Sequence, residues 1–596
     1  MVARRSVPSD SLWLPSSAST FPLGKGPVLV LDREQVIVCE IEPITAAVLS
    51  RCHGVRSLQE YIAQAWTAGI SPSPTAITDA IDTLVSSGLL RLIGPPLHHP
   101  AETASPALLD TAAIITADRP RALARALDAL GRDRARPLHV VVVDGSTTDR
   151  AAARDAATHS PRSVSVLYVG AGEADRLRRR LSSRGIPKRV LDASLTPGGI
   201  GSGRNIATLL TAGRPVLMQD DDVAAGVWTD EGVQEGLAVG GHVDLRAWRF
   251  FETRDQAHAA IRFVDVDIAA AHGSVLGLSL GHLLAHVGDR VDYEQACPHM
   301  IAALNDAARR KVRVTFAGLA GDAARNCSHS LLFRSGAVRQ QLWEDEALFM
   351  RAVRSREVAV ASRRLVVTHD PACVGYCMGI DNATTVPPFM PIGRNEDGVW
   401  GATLAFIDPR ALYAHLPWGV WHDSNRPSRY ETPMPSARQS RVSEFLLFVI
   451  TRVATATFAT AQADRLRHLG RLFGEVAALP PADFRALVAE AKLSVMSQEL
   501  TRAEAATFDP ACPTHWRRAV DEYQRVFRES VVRPNYFLPI EFRTDSPDDG
   551  FARLQRFVGD FGELLIWWPE IWEAARSMNL EDRTEGPTWL ARSRNG

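Results

Sequence analysis

The chain has few of the features that mark secreted or membrane-spanning proteins. Seven cysteines are scattered over 596 residues, and an odd, scattered set does not form a disulfide framework, so we expect a reducing compartment. No apolar run follows Arg4 and Arg5, so no signal peptide is predicted. The most apolar stretch, residues 445–461, is interrupted by Arg452 and is too short to cross a bilayer. The sequence therefore predicts a cytoplasmic protein without a transmembrane segment, and it leaves a peripheral association with a membrane open.

An excess of charge of one sign is also missing. The formal net charge is −1, so the chain offers a polyanion no surplus of positive charge, and nucleic acid is not expected as a partner. Hydrophobic residues make up 46% and charged residues 23%, as in ordinary globular proteins. The chain is too long for a single core. Changes in pattern divide it into a first domain, a polar and proline-rich linker, a central domain and a helical C-terminal region: residues 1–95, 96–109, 110–425 and 426–596.

Short β-rich runs and helical patterns alternate in the first domain. The runs Val28–Leu31 and Val36–Cys39 are separated by a turn-like composition and predict a hairpin. Three short helical patterns follow, and Ser57 with Glu60 forms a capping box for the second of them. The apolar run after Gly88 predicts a wing-like tail. The first domain is therefore expected to be a small winged-helix-like α+β unit.

The central domain shows a different pattern. A buried strand at 111–116, a helical pattern and a second strand at 140–143 follow one another. This alternation predicts a parallel sheet with a right-handed crossover, as in Rossmann-like α/β folds. Four helical patterns occupy the C-terminal region, at 442–467, 481–497, 516–527 and 551–575.

Polar residues that could bind a nucleotide follow the early strands. Asp144 ends the second strand, where an acidic side chain can accept hydrogen bonds from a ribose or a base edge; a common Asp-Gly-Ser turn is the alternative. The segment Gly199–Asn205 is expected to open a helix over 205–212. Its glycines permit close backbone approach, and Arg204 is placed to reach a diphosphate.

Three consecutive carboxylates, Asp220, Asp221 and Asp222, follow the apolar strand Val216–Met218. They repel one another unless a cation lies among them. Hard oxygen ligands at such a strand end suit Mg²⁺ or Mn²⁺ bridging a nucleotide diphosphate. An exposed acidic turn is the alternative.

The order of these motifs resembles the nucleotide-binding half of family 2, GT-A-type glycosyltransferases, over about residues 110–425. The resemblance implies an inverting, metal-dependent transfer of a sugar from a UDP- or GDP-sugar. It places Asp118 and Asp144 at the nucleoside. It also implies that Asp220 and Asp222 bind the metal, with His422 as a late metal ligand. Arg204, Asn205 and Asp221 are implied to contact the sugar diphosphate.

A Glu396–Asp397 pair enters an apolar segment later in the central domain. In inverting enzymes of this type, a carboxylate in such a pair deprotonates the acceptor hydroxyl, and adjacent acids tune each other's pKa. Asp397 is expected to be the base, and Glu396 an orienting or acceptor contact. A simple helix cap before Gly398 is the alternative.

The first domain also resembles a known protein family. Its hairpin, the helix start at Ile44–Ala46 and the closing segment Ile81–Leu90 look like protein D of pyrroloquinoline-quinone biosynthesis. Related domains bind leader peptides of ribosomally made peptides as an added strand. The resemblance favours a peptide acceptor; a generic accessory domain is the alternative.

Two other functions stay open. One is a transferase of cell-surface polysaccharide or glycolipid synthesis, and the other is a sugar- or peptide-binding protein without catalysis. The acidic cluster and Glu396–Asp397 argue against the second. The sequence also leaves a homo-oligomer open.

Overall fold

The computed structural model describes residues 12–578 except 16–18, 23–25, 33–36, 53–55, 72, 95–108, 133–136, 242–244, 289, 326–327, 431–439, 454–458 and 534. The linker predicted at 96–109 therefore lies, apart from Leu109, outside the described residues.

The described part of the first domain contains five strands and three helices: β1 (Leu12–Pro15), β2 (Ser19–Pro22), β3 (Val28–Asp32), β4 (Ile37–Ile41), α1 (Pro43–Leu49), α2 (Leu58–Thr67), α3 (Pro74–Ser86) and β5 (Leu90–Gly94). The predicted hairpin is β3 and β4, and β2 extends it on the β3 side. The capping box of Ser57 and Glu60 is present at the start of α2. The expected wing-like tail is instead β5, which pairs with β1 rather than with the hairpin. The sequence pattern predicts no strand at residues 12–15, so the pairing of β5 with β1 is not expected from it.

The strands of the central domain are β6 (Thr111–Thr116), β7 (Leu138–Asp144), β8 (Val164–Val169), β9 (Val216–Asp220), β10 (Val223–Thr229), β11 (Leu237–Val239), β12 (Arg246–Phe250), β13 (Arg262–Val264), β14 (Val291–Asp292), β15 (Lys311–Asp322), β16 (Glu357–Ser362), β17 (Leu365–Thr368), β18 (Cys377–Ile380) and β19 (Ala411–His422). Its helices are α4 (Pro120–Gly131), α5 (Arg150–Thr158), α6 (Ala171–Ser183), α7 (Lys188–Leu195), α8 (Ile200–Leu210), α9 (Arg254–Ala260), α10 (Ile268–Gly273), α11 (Leu280–Val287), α12 (Pro298–Asn305), α13 (Gly336–Glu344), α14 (Glu346–Arg354) and α15 (Glu396–Ile407).

These strands form one 14-stranded sheet within the described part of the chain. The predicted parallel, strand–helix–strand arrangement is found for β6, β7, β8 and β9. The sheet as a whole is mixed, because β18 runs antiparallel between β9 and β15. Helices pack on both faces over two apolar clusters. The chain therefore has a large α/β sheet in which β6 to β9 form a parallel side and the remaining strands pair in both directions, β15 with β19 and β11 with β14 and β17 being parallel.

The C-terminal region is helical, with α16 (Val442–Phe448), a π-helix (Val449–Val453), α17 (Gln462–Ala477), α18 (Pro481–Thr507), α19 (Thr514–Val531) and α20 (Pro547–Arg576). The single helix expected over 442–467 is therefore not continuous, because residues 459–461, between the π-helix and α17, are not helical. Within the described residues, no helix combines the length and the apolar character that a membrane span requires.

The boundary predicted at 425/426 falls inside a shared core. Apolar side chains of α16 to α18 and of α20 pack in one cluster with those of β7, β9, α8 and α15. The indole of Trp568 donates a hydrogen bond to the carbonyl of Val386, and that of Trp572 donates to Asn382 Oδ1. Helix α17 crosses α20 at Gly470 and Gly562, where a Cβ on either glycine would meet the other's carbonyl oxygen at 2.5–2.7 Å. The helical region is thus part of the body that carries the sheet.

The shared core predicts that a change in α20 destabilises the central domain. Trp568 is fully buried, so Trp568→Ala should lower the free energy of unfolding by about 3–5 kcal/mol. Phe508→Ala is the control, because Phe508 is 81% exposed and should change it by less than about 0.5 kcal/mol. Urea unfolding followed by circular dichroism and tryptophan fluorescence measures both. A central domain that unfolds independently of α20 would contradict the shared core.

Candidate active site

The three consecutive carboxylates lie where β9 ends and the chain turns into β10. Strand β9 runs between β6 and β18, so the cluster is delivered to the carboxyl edge of the parallel part of the sheet. Asp221 is buried, and its two carboxylate oxygens accept hydrogen bonds from Thr116 Oγ1 at 2.7 Å and from Arg119 at 3.1 Å. Burial, opposed by these two contacts, raises the pKa of Asp221 to about 6. Asp221 is therefore held by neighbouring side chains of the protein.

Asp222 and His422 meet although 200 residues separate them in sequence. Antiparallel pairing of β10 with β19 brings the end of β19 to the acidic cluster. His422 Nε2 lies 3.2 Å from Asp222 Oδ1, and Nδ1 lies 2.9 Å from the carbonyl oxygen of Asp322. An Nδ1–H bond to a carbonyl fixes the ring so that Nε2 faces the carboxylate.

The charges of this pair stabilise each other. Burial by itself would lower the pKa of His422, but the carboxylate of Asp222 outweighs it and the pKa is raised. Burial would likewise raise the pKa of Asp222, but His422 and Arg119 outweigh it and the pKa is lowered. Asp222 is therefore ionised near neutral pH, as a metal ligand must be.

The chemistry of the cluster fits a divalent cation. Asp222 Oδ1 is buried, and Nε2 of His422 lies 3.2 Å from it, so a hard oxygen ligand and an imidazole nitrogen face each other at the cluster. Asp220 and His422 lie around the same cavity, and carboxylate oxygens with an imidazole are a donor set that Mg²⁺ or Mn²⁺ accepts. As the side chains lie, no three acidic, histidine or cysteine groups of the described residues are gathered closely enough to hold an ion. Coordination would therefore also need substrate oxygens or water.

Arg204 connects the acidic cluster to Glu396. It is fully buried, with Nη2 2.8 Å from Asp220 Oδ1 and Nε 3.3 Å from Glu396 Oε1, and it donates to the carbonyl of Gly375 at 3.0 Å. A Cβ on residue 375 would lie 2.5 Å from the guanidinium, so only glycine leaves room for it. Burial raises the pKa of Glu396, and Arg204 opposes that shift. Arg204 is thus committed to two carboxylates and does not line the cavity beside Asp222, where a diphosphate contact was expected.

Asp397 begins α15 with Glu396 and is half-buried. Its carboxylate accepts hydrogen bonds from the backbone N–H of Gly375 at 2.6 Å and of Gly398 at 2.9 Å. The capping alternative is not found as expected, because the N-cap of α15 is Asn395 and Asp397 is the second residue of the helix. Its contact to Gly398 satisfies one N–H of the first turn, and Asp397 also lines a cavity. Asn395, which precedes Glu396, has a left-handed backbone with a φ of 68°. The chain turns there, so that Glu396 and Asp397 lie in the first turn of α15.

Two cavities meet at Asp220. The acidic cavity has a volume of about 220 Å³ and is lined by Asp220, Asp221, Asp222, His422, Gly198 and Gly199, with Arg119, Arg394 and Arg426 around them. The wide cavity has a volume of about 740 Å³ and is lined by Arg204, Glu396 and Asp397, with Trp248 and Arg325 farther along. Asp220 and Arg394 belong to both walls. The structure thus separates Asp222 and His422 from the Glu396–Asp397 pair, with Asp220 at the boundary between them.

The other residues predicted to contact the nucleotide are buried or already hydrogen-bonded within the protein. Asp144 is buried and accepts hydrogen bonds from the hydroxyl of Tyr168 and the N–H of Ser146. Asp118 is exposed, but its carboxylate accepts from the N–H groups of residues 147–149, and these contacts lower its pKa. The buried amide of Asn205 is bonded to the backbone of Phe389 in both directions. None of the three lines either cavity.

The glycine-rich segment differs from the prediction. Helix α8 begins at Ile200, five residues before the expected start, so Gly201 and Gly203 lie inside the helix. A Cβ at Gly201 would lie 1.8 Å from the carbonyl oxygen of Met390, and one at Gly203 would lie 2.8 Å from Ile115. Gly201 thus leaves room for the neighbouring chain at Met390, while Gly203 packs on Ile115 and also lines the acidic cavity. Gly198 and Gly199, before the helix, do line the acidic cavity.

Sequence reasoning missed the arginines of the acidic cavity. Burial lowers the pKa of Arg426, and the guanidiniums of Arg356, Arg394 and Arg119 add to that effect. Crowded cations beside carboxylates are an arrangement that a metal-bound diphosphate would complement. Arg119 directly follows Asp118, and Arg394 precedes Glu396 by two residues. Their positions next to predicted site residues are the sequence signal that could have identified these two arginines.

Comparisons with known proteins do not assign the chain to a family. No protein-family model matches the chain, and no curated protein matches it. The geometry of the two cavities is therefore the main support for a function.

The buried position of Arg204 generates a prediction about stability. Arg204→Leu leaves the buried carboxylate of Glu396 without its counter-charge and should lower the free energy of unfolding by about 3–5 kcal/mol. Adding Glu396→Gln should restore part of the loss, because the uncompensated charge is removed. Arg121→Leu, at an exposed position of α4, is the control. Urea unfolding measures all three, and a loss of less than about 1 kcal/mol for Arg204→Leu would mean that the ion pairs are energetically unimportant.

Proposed function

We propose that the protein is a metal-dependent, inverting glycosyltransferase that uses a nucleotide-sugar donor. The observation that carries the proposal is the place of Asp220, between a cavity with Asp222 and His422 and a cavity with Glu396 and Asp397. A transferase needs this arrangement, because donor and acceptor must meet at one point from two sides. The resemblance to GT-A-type enzymes supports the same assignment of the two sides.

On the donor side, the acidic cavity would bind the sugar diphosphate. Asp220, Asp222 and His422 would hold Mg²⁺ or Mn²⁺, which when bound supplies positive charge to the leaving diphosphate. Arg119, Arg394 and Arg426 line the same cavity and would bind phosphate oxygens. Asp118 and Asp144 would act on the nucleoside through the 144–149 loop that they hold, rather than by direct contact.

On the acceptor side, Asp397 would take the proton of the attacking hydroxyl. Its carboxylate is fixed by two backbone N–H groups, which leaves it oriented toward the wide cavity. Glu396 is buried against Arg204 and would orient the site electrostatically. The configuration of the anomeric carbon is inverted because the reaction is a single displacement. The hydroxyl oxygen forms the new glycosidic bond to that carbon as its bond to the diphosphate breaks.

A peptide is the proposed acceptor. The first domain carries an edge strand, β4, whose outer side is unpaired among the described residues, and Val38 on it is 63% exposed. An extended peptide can add to such an edge. Synthesis of polysaccharide or glycolipid would use the same catalytic groups with a different acceptor.

The metal assignment is tested with Asp222→Asn. Loss of the ionised ligand should remove Mn²⁺ binding and lower donor turnover by about 10²-fold or more, since a metal supplies several kcal/mol of transition-state stabilisation. Nucleotide diphosphate release is measured across UDP- and GDP-sugars with Mn²⁺, Mg²⁺ or chelator, and Mn²⁺ binding by calorimetry. Asp128→Asn, on an exposed turn of α4, should behave as the wild type. Full turnover of the wild type in chelator would refute metal dependence.

The base is tested with Asp397→Asn. Because general-base catalysis supplies about 10²–10⁴ in rate, turnover with an acceptor should fall by that factor while donor affinity stays unchanged. Steady-state transfer and equilibrium binding of the nucleotide separate the two effects. Asp464→Asn, on the exposed side of α17, is the control. If donor binding falls as much as turnover, Asp397 belongs to the nucleotide site instead.

A further inference from the structure

The junction of the acidic and the wide cavity is formed by residues that line both of them: Ile200, Asp220, Ala324 and Arg394. Only Asp220 and Arg394 carry a charge. In the proposed transfer the sugar passes from the donor side to the acceptor side at this junction, so the bond between the sugar and its phosphate breaks there. The two charged side chains therefore lie where the phosphate leaves.

The charge of Asp220 is compensated within the protein, whereas that of Arg394 is not. Asp220 pairs with the guanidinium of Arg204 at 2.8 Å. The side chain of Arg394 is exposed and makes no hydrogen bond or ion pair with any described residue. A guanidinium is charged at any pH that a folded protein meets, and all of its N–H groups are donors. Arg394 therefore offers the junction a positive charge and donors that no described group of the protein uses.

The other carboxylates of the acidic cavity do not compete for this charge. Each of them has a basic partner in the protein: Asp221 has Arg119 at 3.1 Å, Asp222 has His422 at 3.2 Å, and Asp322 has Arg356 at 2.8 Å. A carboxylate in such a pair gains little from a further cation. The group that would complete Arg394 is therefore an anion brought by the substrate, and the diphosphate is the anion that the proposed donor carries.

The neighbouring arginines are less suited to the leaving phosphate. Arg204 is fully buried between two carboxylates, and Arg119 is bound to Asp221 and Asp222. Either side chain would have to break ion pairs to turn toward the junction. Arg119 and Arg426 also line the acidic cavity alone. Arg394 needs only a change of rotamer, because its side chain is exposed and unpaired.

The backbone at the junction is held in an uncommon conformation. Gly393 and Asn395, on either side of Arg394, are left-handed, with φ of 88° and 68°. Ala324, in the other loop of the junction, has a φ of 55°, and its N–H donates to Asp322 Oδ1 at 2.7 Å. Left-handed residues other than glycine are uncommon and tend to occur at ligand-binding and active sites. The conformation of both loops thus agrees with a functional role of the junction.

We infer that Arg394 binds the sugar-bearing phosphate of the donor and is a catalytic residue for the departure of that phosphate. The acceptor oxygen bonds to the anomeric carbon, its proton passes to Asp397, and the electron pair of the breaking C–O bond goes to the phosphate oxygen. Negative charge grows on that oxygen, and Arg394 would donate a charge-assisted hydrogen bond to it. The inference rests on the proposed function for the reaction, but the contact with a terminal phosphate does not require transfer.

Turnover is tested on the full-length protein with Arg394→Ala. Release of the nucleotide diphosphate should slow by about 10²–10³-fold, as when another donor to a developing negative charge is removed. Donor affinity should fall much less, because the charge on the oxygen is largest in the transition state. Added guanidinium, at concentrations that leave the protein folded, should restore part of the turnover. Arg394→Lys should retain more turnover than Arg394→Ala, because the ammonium keeps the charge but not the planar fork.

Arg214→Ala is the matched control. Arg214 is also exposed and lines neither cavity, so this variant should release nucleotide at the wild-type rate and should not respond to guanidinium. Wild-type turnover in Arg394→Ala would overturn the inference. A slow Arg394→Ala that guanidinium does not accelerate, with Arg394→Lys equally slow, would also overturn it, because the loss would then come from the loop and not from the missing cation.

A binding readout separates this inference from the proposed function. Calorimetry compares UDP with UMP and GDP with GMP, and the wild type should bind the preferred diphosphate at least about tenfold more tightly than its monophosphate. Arg394→Ala should reduce this preference and leave the affinity for the monophosphate unchanged. If no nucleotide sugar is turned over but the preference depends on Arg394, the proposed function fails and the phosphate contact stands. Turnover by the wild type with a preference that does not depend on Arg394 leaves the transferase and removes the contact.

Discussion

Arg204 lies buried with its guanidinium between the carboxylates of Asp220 and Glu396. A charge removed from water is tolerated only with partners of opposite sign at close range. The ion pairs join the end of β9, the middle of α8 and the start of α15, elements that are far apart in sequence. Gly375 has no side chain because the guanidinium occupies that space, and its N–H holds Asp397. The position of each acidic group at the junction of the cavities thus depends on one buried cation.

The helical C-terminal region supports this arrangement from behind. Trp572 bonds to Asn382, which donates to the carbonyl of Thr208 in α8. Glu444 of α16 lines the wide cavity and pairs with the buried Lys492 of α18 at 2.9 Å. His329, which lines the wide cavity, stacks on Tyr523 of α19. The C-terminal region, whose role the sequence leaves open, therefore supplies part of the wall of the wide cavity and packs behind it.

The sequence predicted a strand or helix end correctly where the residues next to that end were sufficient to specify it. The strand before Asp220, the capping box at Ser57 and the start of α15 at Glu396 each follow from neighbouring residues. The start of α8 was misplaced because glycine is a poor helix former, yet Met390 and Ile115 pack so closely that only glycine fits. The mixed order of the sheet was also missed, because the direction of β18 is decided by its partners.

By itself, the sequence determined the β3–β4 hairpin, the first parallel strands of the sheet, the acidic cluster at a strand end and the adjacent Glu396–Asp397 pair. These features depend on spacing over a few residues, which periodicity and composition record. Only the tertiary structure decided that His422 faces Asp222, that Arg204 is committed to two carboxylates, and that Asp144 and Asn205 bond inside the fold. It alone placed Arg246, Arg325 and Trp248 in the same cavity as Asp397. Such contacts join residues tens to hundreds of positions apart, and their geometry is set by strand pairing and close packing, which no local pattern encodes.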